Sequence, residues 1–484
     1  MMKNDYDLVV IGGTKQGFFC AEYAVKLGAR VALVIDDKLA SIEHEQDFLL
    51  LNNGISYQEF LQEKKRIIEY KILPDLEVLG VDIIFSQCKF IQQKQLILFT
   101  EKRQLKSSAY LLVMTANQLF SPLSPLYPPL VRGELTLNNL LDEKTWHNLP
   151  EELTILGDDI NTIYLVNKLS QENKKISIIS ASSQILPSED EDISYQLQLF
   201  LEGKGIKIYL NHNDTGLEFD RATSDDDLKT QRVTTSDDDL KTQRVTTSDD
   251  KLKTQRVTTP DDKLKTLRVT TLTKNLSKED NLELTKLGIK NNGGKIEVNS
   301  KLQTKHPQIY ACGDLLGGYA LESLIPYEVK IAVNNALFFP YQEINYSDIP
   351  YTLNTNPPIN RLGYTEKQAK FLLSQNIKVL KIYCLLTSPI NWQQEVTFLK
   401  IILDESNYLL GFHSFGFGVE ELITAMTFIK KRNLPFYYLF KMSFANLNTQ
   451  KLITKINNYW KKEQRRQYQI ILDLAETFFI WKRA

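Results

Sequence analysis

The first strand and the turn after it constrain this chain more than any other feature. Tyr6-Asp7-Leu8-Val9-Val10-Ile11 runs directly into Gly12-Gly13-Thr14-Lys15-Gln16-Gly17. A short, mostly apolar, β-branched run reads as a strand buried on both faces of a parallel sheet, and the glycines behind it supply a tight turn. Phe18 to Leu27 has helical character, Gly28-Ala29-Arg30 turns the chain again, and Val31 to Ile35 reads as a second buried strand. The result is a β-α-β unit, the context in which a dinucleotide-binding fingerprint carries meaning.

That fingerprint uses glycine three times: for the turn, for close backbone approach to a pyrophosphate, and for close helix–strand packing. Gly12 and Gly17 fill the first and third places, Thr14 occupies the second, and Gly13 keeps the turn pliable. A threonine at the approach position crowds a phosphate but can also donate a hydrogen bond to it, and the helix N-terminus favours an anion. The acidic residue that holds the ribose hydroxyls belongs at the end of the second strand. Ile35 stands at that count, with Asp36 one place later.

Composition narrows the partners. Lys and Arg number 58 against 59 Asp and Glu, so there is no excess positive field to draw in nucleic acid. Cys20, Cys88, Cys312 and Cys384 lie far apart along the chain with no C-x-x-C or C-x-x-x-x-C spacing, which argues against a disulfide scaffold, a metal site and a sequence-local redox pair. A cytoplasmic protein is expected. The apolar runs fall short of a spanning helix and the first residues do not resemble a signal peptide.

A second signal lies near residue 310. Gln303-Thr304-Lys305-His306-Pro307-Gln308-Ile309-Tyr310-Ala311-Cys312-Gly313-Asp314 runs from a loop into a short strand ending in Gly-Asp. Together with the N-terminal unit it resembles the two-part FAD site of the pyridine nucleotide-disulfide oxidoreductase family, which includes dihydrolipoamide dehydrogenase, glutathione reductase and mercuric reductase. The resemblance implies that Gly313 and Asp314 close the FAD site, Asp314 reaching the ribityl chain. It also places Leu111 to Asn117, with Thr115, where the family has a strand ending in A-T-G. Leu153 to Leu156, Gly157, a helix to Leu169, strand Ile176 to Ile179, and Leu186-Pro187 with its acidic followers resemble the family's second, NAD-type unit. Arg361 to Ala369 resembles the opening of the dimerisation domain, where Thr365 and Gln368 also have capping-box spacing. Leu399 to Asp404, Leu410 to His413 and Glu420 to Ile423 continue that likeness.

The chain departs from the family where its chemistry lies. Family disulfide reductases carry a C-x-x-x-x-C pair after the second strand, yet residues 37 to 66 contain no cysteine. The stretch Met442 to Gln450, where a His-Pro…Glu segment is expected, has neither His nor Glu. Dithiol chemistry is therefore not expected, and a lone thiol at Cys312 would lack a resolving partner. In the second unit Gly157 is followed by Asp158 and Asp159, with Thr162 at the third glycine position and Tyr164 where the family has a Glu near the flavin. Two carboxylates at the place of a pyrophosphate repel it, so tight NAD(P)H binding there is not expected.

From Thr223 a 12-residue unit, T-S-D-D-D-L-K-T-Q-R-V-T, repeats with variation to about Thr270. Each copy offers only Leu and Val to a core, so a solvated, poorly ordered insertion is expected, with short strand arms as the alternative. In the tail, Leu452, Ile453, Ile456, Tyr459 and Trp460, then Tyr468, Ile471, Leu472 and Ala475, follow helical spacing, with Lys461, Lys462, Arg465 and Arg466 between them. Such a helix is expected to pack on its own domain; a membrane surface is the alternative.

The expected fold is α/β: two Rossmann-like domains, FAD- and NAD-type, plus an α+β dimerisation domain. Residues 1–148 and 280–348 form a discontinuous FAD domain, 149–279 an NAD-like domain with the repeats at 223–270, 349–450 the dimerisation domain and 451–484 the tail. Gly12, Gly13, Thr14, Gly17, Asp36, Thr115, Gly313 and Asp314 are the expected FAD contacts, and the resemblance implies a homodimer. The expected function is that of an FAD-binding oxidoreductase with a small-molecule redox substrate. The alternatives are an inactive scaffold of the same fold and a peripheral membrane NAD(P)H:quinone-type reductase.

Overall fold

The computed structural model describes residues 4–36, 57–114, 120–122, 134–136, 148–172, 174–212, 266–270, 276–292, 295–317, 321, 323–373, 376–387, 394–463, 474 and 476–483. β1 (Tyr6–Ile11), β2 (Val31–Ile35), β3 (Asp82–Phe85) and β4 (Ser107–Leu112) begin one parallel sheet. The chain then leaves it for β5 (Glu134–Thr136), β6 (Glu152–Leu156), β7 (Lys175–Ile179), β8 (Lys207–Tyr209) and β9 (Thr266–Thr270), a second parallel sheet in the order β8-β7-β6-β9-β5. It returns with β10 (Ile309–Ala311), which completes the first sheet as β10-β4-β1-β2-β3. A third sheet, antiparallel, is built from β11 (Tyr351–Leu353), β12 (Ile359–Gly363), β13 (Lys378–Thr387), β14 (Gln394–Leu403) and β15 (Leu409–Phe415) in the order β11-β12-β15-β14-β13. The α/β architecture with a separate antiparallel unit is the expected one.

The period-2 geometry of a strand explains the apolar run of β1. Leu8 and Val10 enter one core, shared with Leu33, Ile35 and Leu111, while Val9 and Ile11 enter another, shared with Ala32, Val34 and Leu112. With both faces covered, no alternation with polar residues is needed. Helix α1 (Lys15–Lys26) lies on the first of these cores through Phe18, Cys20, Ala21 and Ala24.

β9 corrects one expectation. Residues 213–265 lie outside the described residues, but Thr266–Thr270, the end of the repeat array, is a strand seated between β6 and β5, both parallel to it. Gln231, Gln243 and Gln255 of the preceding copies are replaced by Leu267 here. The copy T-L-R-V-T therefore alternates apolar residues at strand spacing, and Leu267 and Val269 stand in register with Leu153 and Ile155.

The second and third units meet through a buried ionic cluster. α2 (Ile160–Ser170) and α3 (Glu191–Gly203) belong to the second unit, and α3 is capped by Asp190, whose carboxylate accepts from the Asp192 N–H. Lys400 on β14 is 2% exposed and its Nζ stands 2.7 Å from Asp190 Oδ1, 2.5 Å from Asp192 Oδ2 and 2.8 Å from Glu366 Oε2. Burial works against this ammonium, but the three carboxylates hold its pKa above the ordinary lysine value. Arg361 on β12 donates to the Ser188 carbonyl at 2.6 Å. The acidic run after Leu186-Pro187 is thus the docking strip between two units.

His413 on β15 is fully buried and paired in register with Arg361 on one side and Lys400 on the other. Its Nε2 lies 2.9 Å from the Tyr364 carbonyl, which can only accept, so Nε2 carries the proton and Nδ1 is bare with no partner among the described residues. Burial first, helped by the flanking cations and opposed by Asp190 and the carbonyl, pushes the imidazole pKa down to about 4. An unfolded histidine titrates near about 6.5, so between those values the unfolded state holds the extra proton. The associated stability is complete above about pH 6.5 and is lost as pH falls towards about 4, on the order of 3 kcal/mol in all. Urea midpoints at pH 7 and pH 5 should show a loss of about 2 kcal/mol that His413→Gln removes; an equal loss in both proteins would refute this.

Candidate functional site

The carboxyl ends of parallel strands in an open α/β sheet are where ligands bind. In the first sheet β1, β4 and β10 are parallel, so Gly12, Val113 and the segment Cys312-Gly313-Asp314 emerge along one edge. The two halves of the expected site touch. A Cβ placed on Gly313 would fall 1.6 Å from Gln16 Oε1, so the Gln16 amide lies directly across that glycine. Gly313 also has φ +80°, a conformation that side chains resist.

The turn itself is as tight as the fingerprint requires. A Cβ on Gly12 would meet the Val113 carbonyl oxygen at 2.6 Å, one on Gly13 the Ile35 side chain at 2.7 Å, and one on Gly17 the Gly12 carbonyl oxygen at 2.1 Å. Thr14 departs from expectation. It is the N-cap of α1, its hydroxyl accepting from the Gly17 N–H at 3.1 Å and donating to the Val113 carbonyl at 2.5 Å. The hydroxyl proton is therefore committed to the protein and does not face a phosphate. Asp36 follows β2 directly and is half-buried. Thr115 lies outside the described residues.

This turn fits an anionic dinucleotide: the first turn of α1 holds no acidic residue and begins with Lys15, leaving the positive end of the helix unopposed. The second turn does the reverse. Asp159 caps α2, accepting from the Thr162 N–H at 2.9 Å and from its hydroxyl at 2.8 Å. Asp158 accepts from Ser180 and Ser182 at 2.8 and 2.5 Å. Carboxylates stand where a pyrophosphate would dock, and Tyr164 is buried in the core of the second unit with Leu153, Ile155 and Ile163.

Glu328, Tyr346 and Cys20 join the site without a sequence signal. Glu328, on α4 (Ile325–Leu337), accepts from the Gly313 N–H and from the Tyr346 hydroxyl, both at 2.8 Å. Burial, reinforced by Glu328, pushes Asp314 up to about 6. Cys20 on α1 and Cys312 at the end of β10 lie beside each other in one core, both fully buried. The hydrogen bond with Cys20, then burial, holds the Cys312 thiol well above its ordinary pKa. Cys312 therefore has the neighbour that spacing along the chain did not provide, although protonated buried thiols are poor nucleophiles. The third unit confirms its opening motif: Gln368 Oε1 accepts from the Thr365 N–H at 3.0 Å and Thr365 Oγ1 from the Gln368 N–H at 3.2 Å, a reciprocal cap for α5 (Glu366–Leu373).

Comparison with known proteins points the same way. Residues 6–336 match the family described as pyridine nucleotide-disulphide oxidoreductase, and residues 349–450 match its dimerisation domain. A dihydrolipoyl dehydrogenase of Bacillus subtilis (strain 168) is 23% identical over 467 residues, covering 87% of this chain and 91% of that protein. A mercuric reductase of Bacillus cereus is 22% identical over 396 residues, covering 76% and 57%. Among solved structures, the HOCl-induced flavoprotein disulfide reductase RclA from Escherichia coli has a TM-score of 0.64 at 20% identity, covering 91% of this chain and 97% of that one. LpdA from Mycobacterium tuberculosis has 0.67 at 15%, covering 93% and 99%. The split first sheet, the nested second unit and the antiparallel third are all spanned by these matches, and the chain belongs to the pyridine nucleotide-disulphide oxidoreductase family.

Proposed function

We propose that the protein is a homodimeric FAD-dependent oxidoreductase that works without the paired cysteines of its disulfide-reducing relatives, and whose second dinucleotide-type unit serves as scaffold. The contrast between the two turns carries this reading: one is neutral to basic and joined to Gly313-Asp314, the other is filled by two carboxylates. Gly12, Gly13, Thr14 and Gly17 would cradle the pyrophosphate of FAD, Asp36 would face its ribose, Thr115 would line the site, and Gly313 with Asp314 would hold the ribityl chain. When bound, FAD supplies the two-electron redox centre. Around it the protein contributes positioning and electrostatics, and Glu328 fixes the Gly313 backbone through its N–H.

Purified protein should carry a flavin absorbance band near roughly 450 nm; a protein that stays colourless with added FAD and gains no thermal stability would overturn the assignment. Electron entry tests the scaffold. At an effective dielectric near 20, a carboxylate about 4 Å from a phosphate charge costs on the order of 4 kcal/mol, so micromolar NADH or NADPH should bleach the flavin only slowly in stopped-flow mixing. Asp159→Gly should bind nucleotide roughly tenfold or more tightly, because half that penalty already exceeds a tenfold change, and glycine in place of an Asp cap costs only a few tenths of a kcal/mol. Rapid bleaching of the unaltered protein by micromolar nucleotide would refute the scaffold role. Turnover of lipoamide, oxidised glutathione or mercuric ion that vanishes in a Cys20→Ser, Cys312→Ser protein would place dithiol chemistry at that pair.

A further inference from the structure

The end of the chain presents apolar surface that the rest of the described protein leaves uncovered. α6 (Leu447–Glu463) buries Leu452, Ile453, Ile456 and Trp460 against the third sheet as the spacing predicts, while Tyr459, expected with them, is exposed. Tyr468, Ile471, Leu472 and Ala475 lie outside the described residues. Residues 476–483 are helical again, and there the packing ends: Phe478, Phe479, Ile480 and Trp481 are 53, 52, 62 and 74% exposed. A helix seated on its own domain hides one stripe and shows the other. Four successive large apolar residues, all exposed, leave no such stripe.

Charge decides between occupants. Residues 461–484 hold six cations, Lys461, Lys462, Arg465, Arg466, Lys482 and Arg483, against Glu463, Asp473 and Glu476, in a chain whose net charge is −1. Of the cations, Lys461, Lys462, Lys482 and Arg483 are among the described residues, and all four are exposed. Two such tails repel each other, whereas an anionic surface attracts both. Tryptophan and phenylalanine favour the headgroup boundary of a bilayer, and adjacent Lys and Arg reach its phosphates. Among the described residues no helix is long and apolar enough to cross a membrane, so such contact is with the surface.

We propose that the C-terminal helix, residues 476–483, docks the protein on an anionic lipid bilayer, with Phe478, Phe479, Ile480 and Trp481 entering the headgroup boundary and Lys482 and Arg483 meeting lipid phosphates. This is independent of the flavin assignment. The test is co-sedimentation of the full chain with vesicles of phosphatidylglycerol mixed with phosphatidylcholine, and with phosphatidylcholine alone. The expected result is binding to the anionic vesicles that weakens with added salt, and little binding to the neutral ones. Replacing Phe478, Phe479, Ile480 and Trp481 by Ser should weaken binding roughly tenfold or more, with the melting temperature unchanged because α6 is untouched. Lys482→Gln with Arg483→Gln should cost about fivefold per charge. Equal sedimentation of unaltered and serine-substituted protein, or no binding to anionic vesicles, would overturn the proposal. So would a lipid-free assembly that shrinks on size exclusion when the four residues are changed, since a second copy would then cover the face.

Discussion

Lys400→Met should lower stability by about 3–5 kcal/mol, the range for breaking a buried ion pair from one side. The substitution leaves Asp190, Asp192 and Glu366 converging on a site with its cation gone; Asp192 keeps a bridge to Lys381 at 2.8 Å and Glu366 one to Lys370 at 2.6 Å, so the fully buried Asp190 is the carboxylate most exposed to the loss. Methionine fills much of the lysine stem's volume, so the loss is electrostatic rather than a cavity. A companion protein separates the two causes: combining Lys400→Met with Asp190→Asn, Asp192→Asn and Glu366→Gln removes the stranded charges and should recover much of the loss, because replacing all partners of a buried pair is often near neutral. The readout is the first urea transition, since a protein of several units need not unfold in one step. A Lys400→Met protein within about 0.5 kcal/mol of the original, the ordinary scatter of a surface change, would show that the cluster contributes nothing.

The second large effect is expected at Gly17. Its missing Cβ leaves room for the Gly12 carbonyl at a distance no side chain tolerates, and Val113 closes the other side at 3.2 Å. Gly17→Val must push α1 away from the turn, opening the backbone cradle and dragging Gln16 off Gly313. Overpacking of this kind costs about 1–3 kcal/mol of stability, and the protein should emerge from purification without flavin and with its circular dichroism retained. Gly203→Ala is the control: it lies in α3, and its Cβ would meet nothing within 4 Å. If the Gly17→Val protein retains a full complement of flavin, the turn is not the cradle.

Legibility in the sequence followed the range of the interaction. Val31–Ile35 is a strand over the predicted residues, and Thr365 with Gln368 forms the predicted cap, because strand burial and capping depend on neighbours a few places away. The edge that joins Gly12 to Gly313 was also readable, since each half carries its own local motif. The direction of the Thr14 hydroxyl was not: it is set by Val113, which arrives from another strand. Glu328, the Cys20–Cys312 neighbours and the carboxylates around Lys400 escaped for the same reason, as each contact joins segments that only the tertiary fold brings together. β9 shows a local signal overlooked, the change from Gln to Leu267 hidden within a repeat.

The order of the first sheet, with β10 beside β4, has a consequence for biosynthesis. β1 leaves the ribosome early, but its sheet lacks an edge strand until Ile309–Ala311 has been made. At roughly 5–20 residues per second, that interval lasts tens of seconds. The second sheet, contained between Glu134 and Thr270, has all its strands before then. Translation therefore offers the nested unit a chance to close first, while β4 waits with one side unpaired and the proposed flavin cradle lacks its Gly-Asp half. A nascent chain held before residue 309 has the glycine turn but not the Gly-Asp segment proposed to complete the cofactor site.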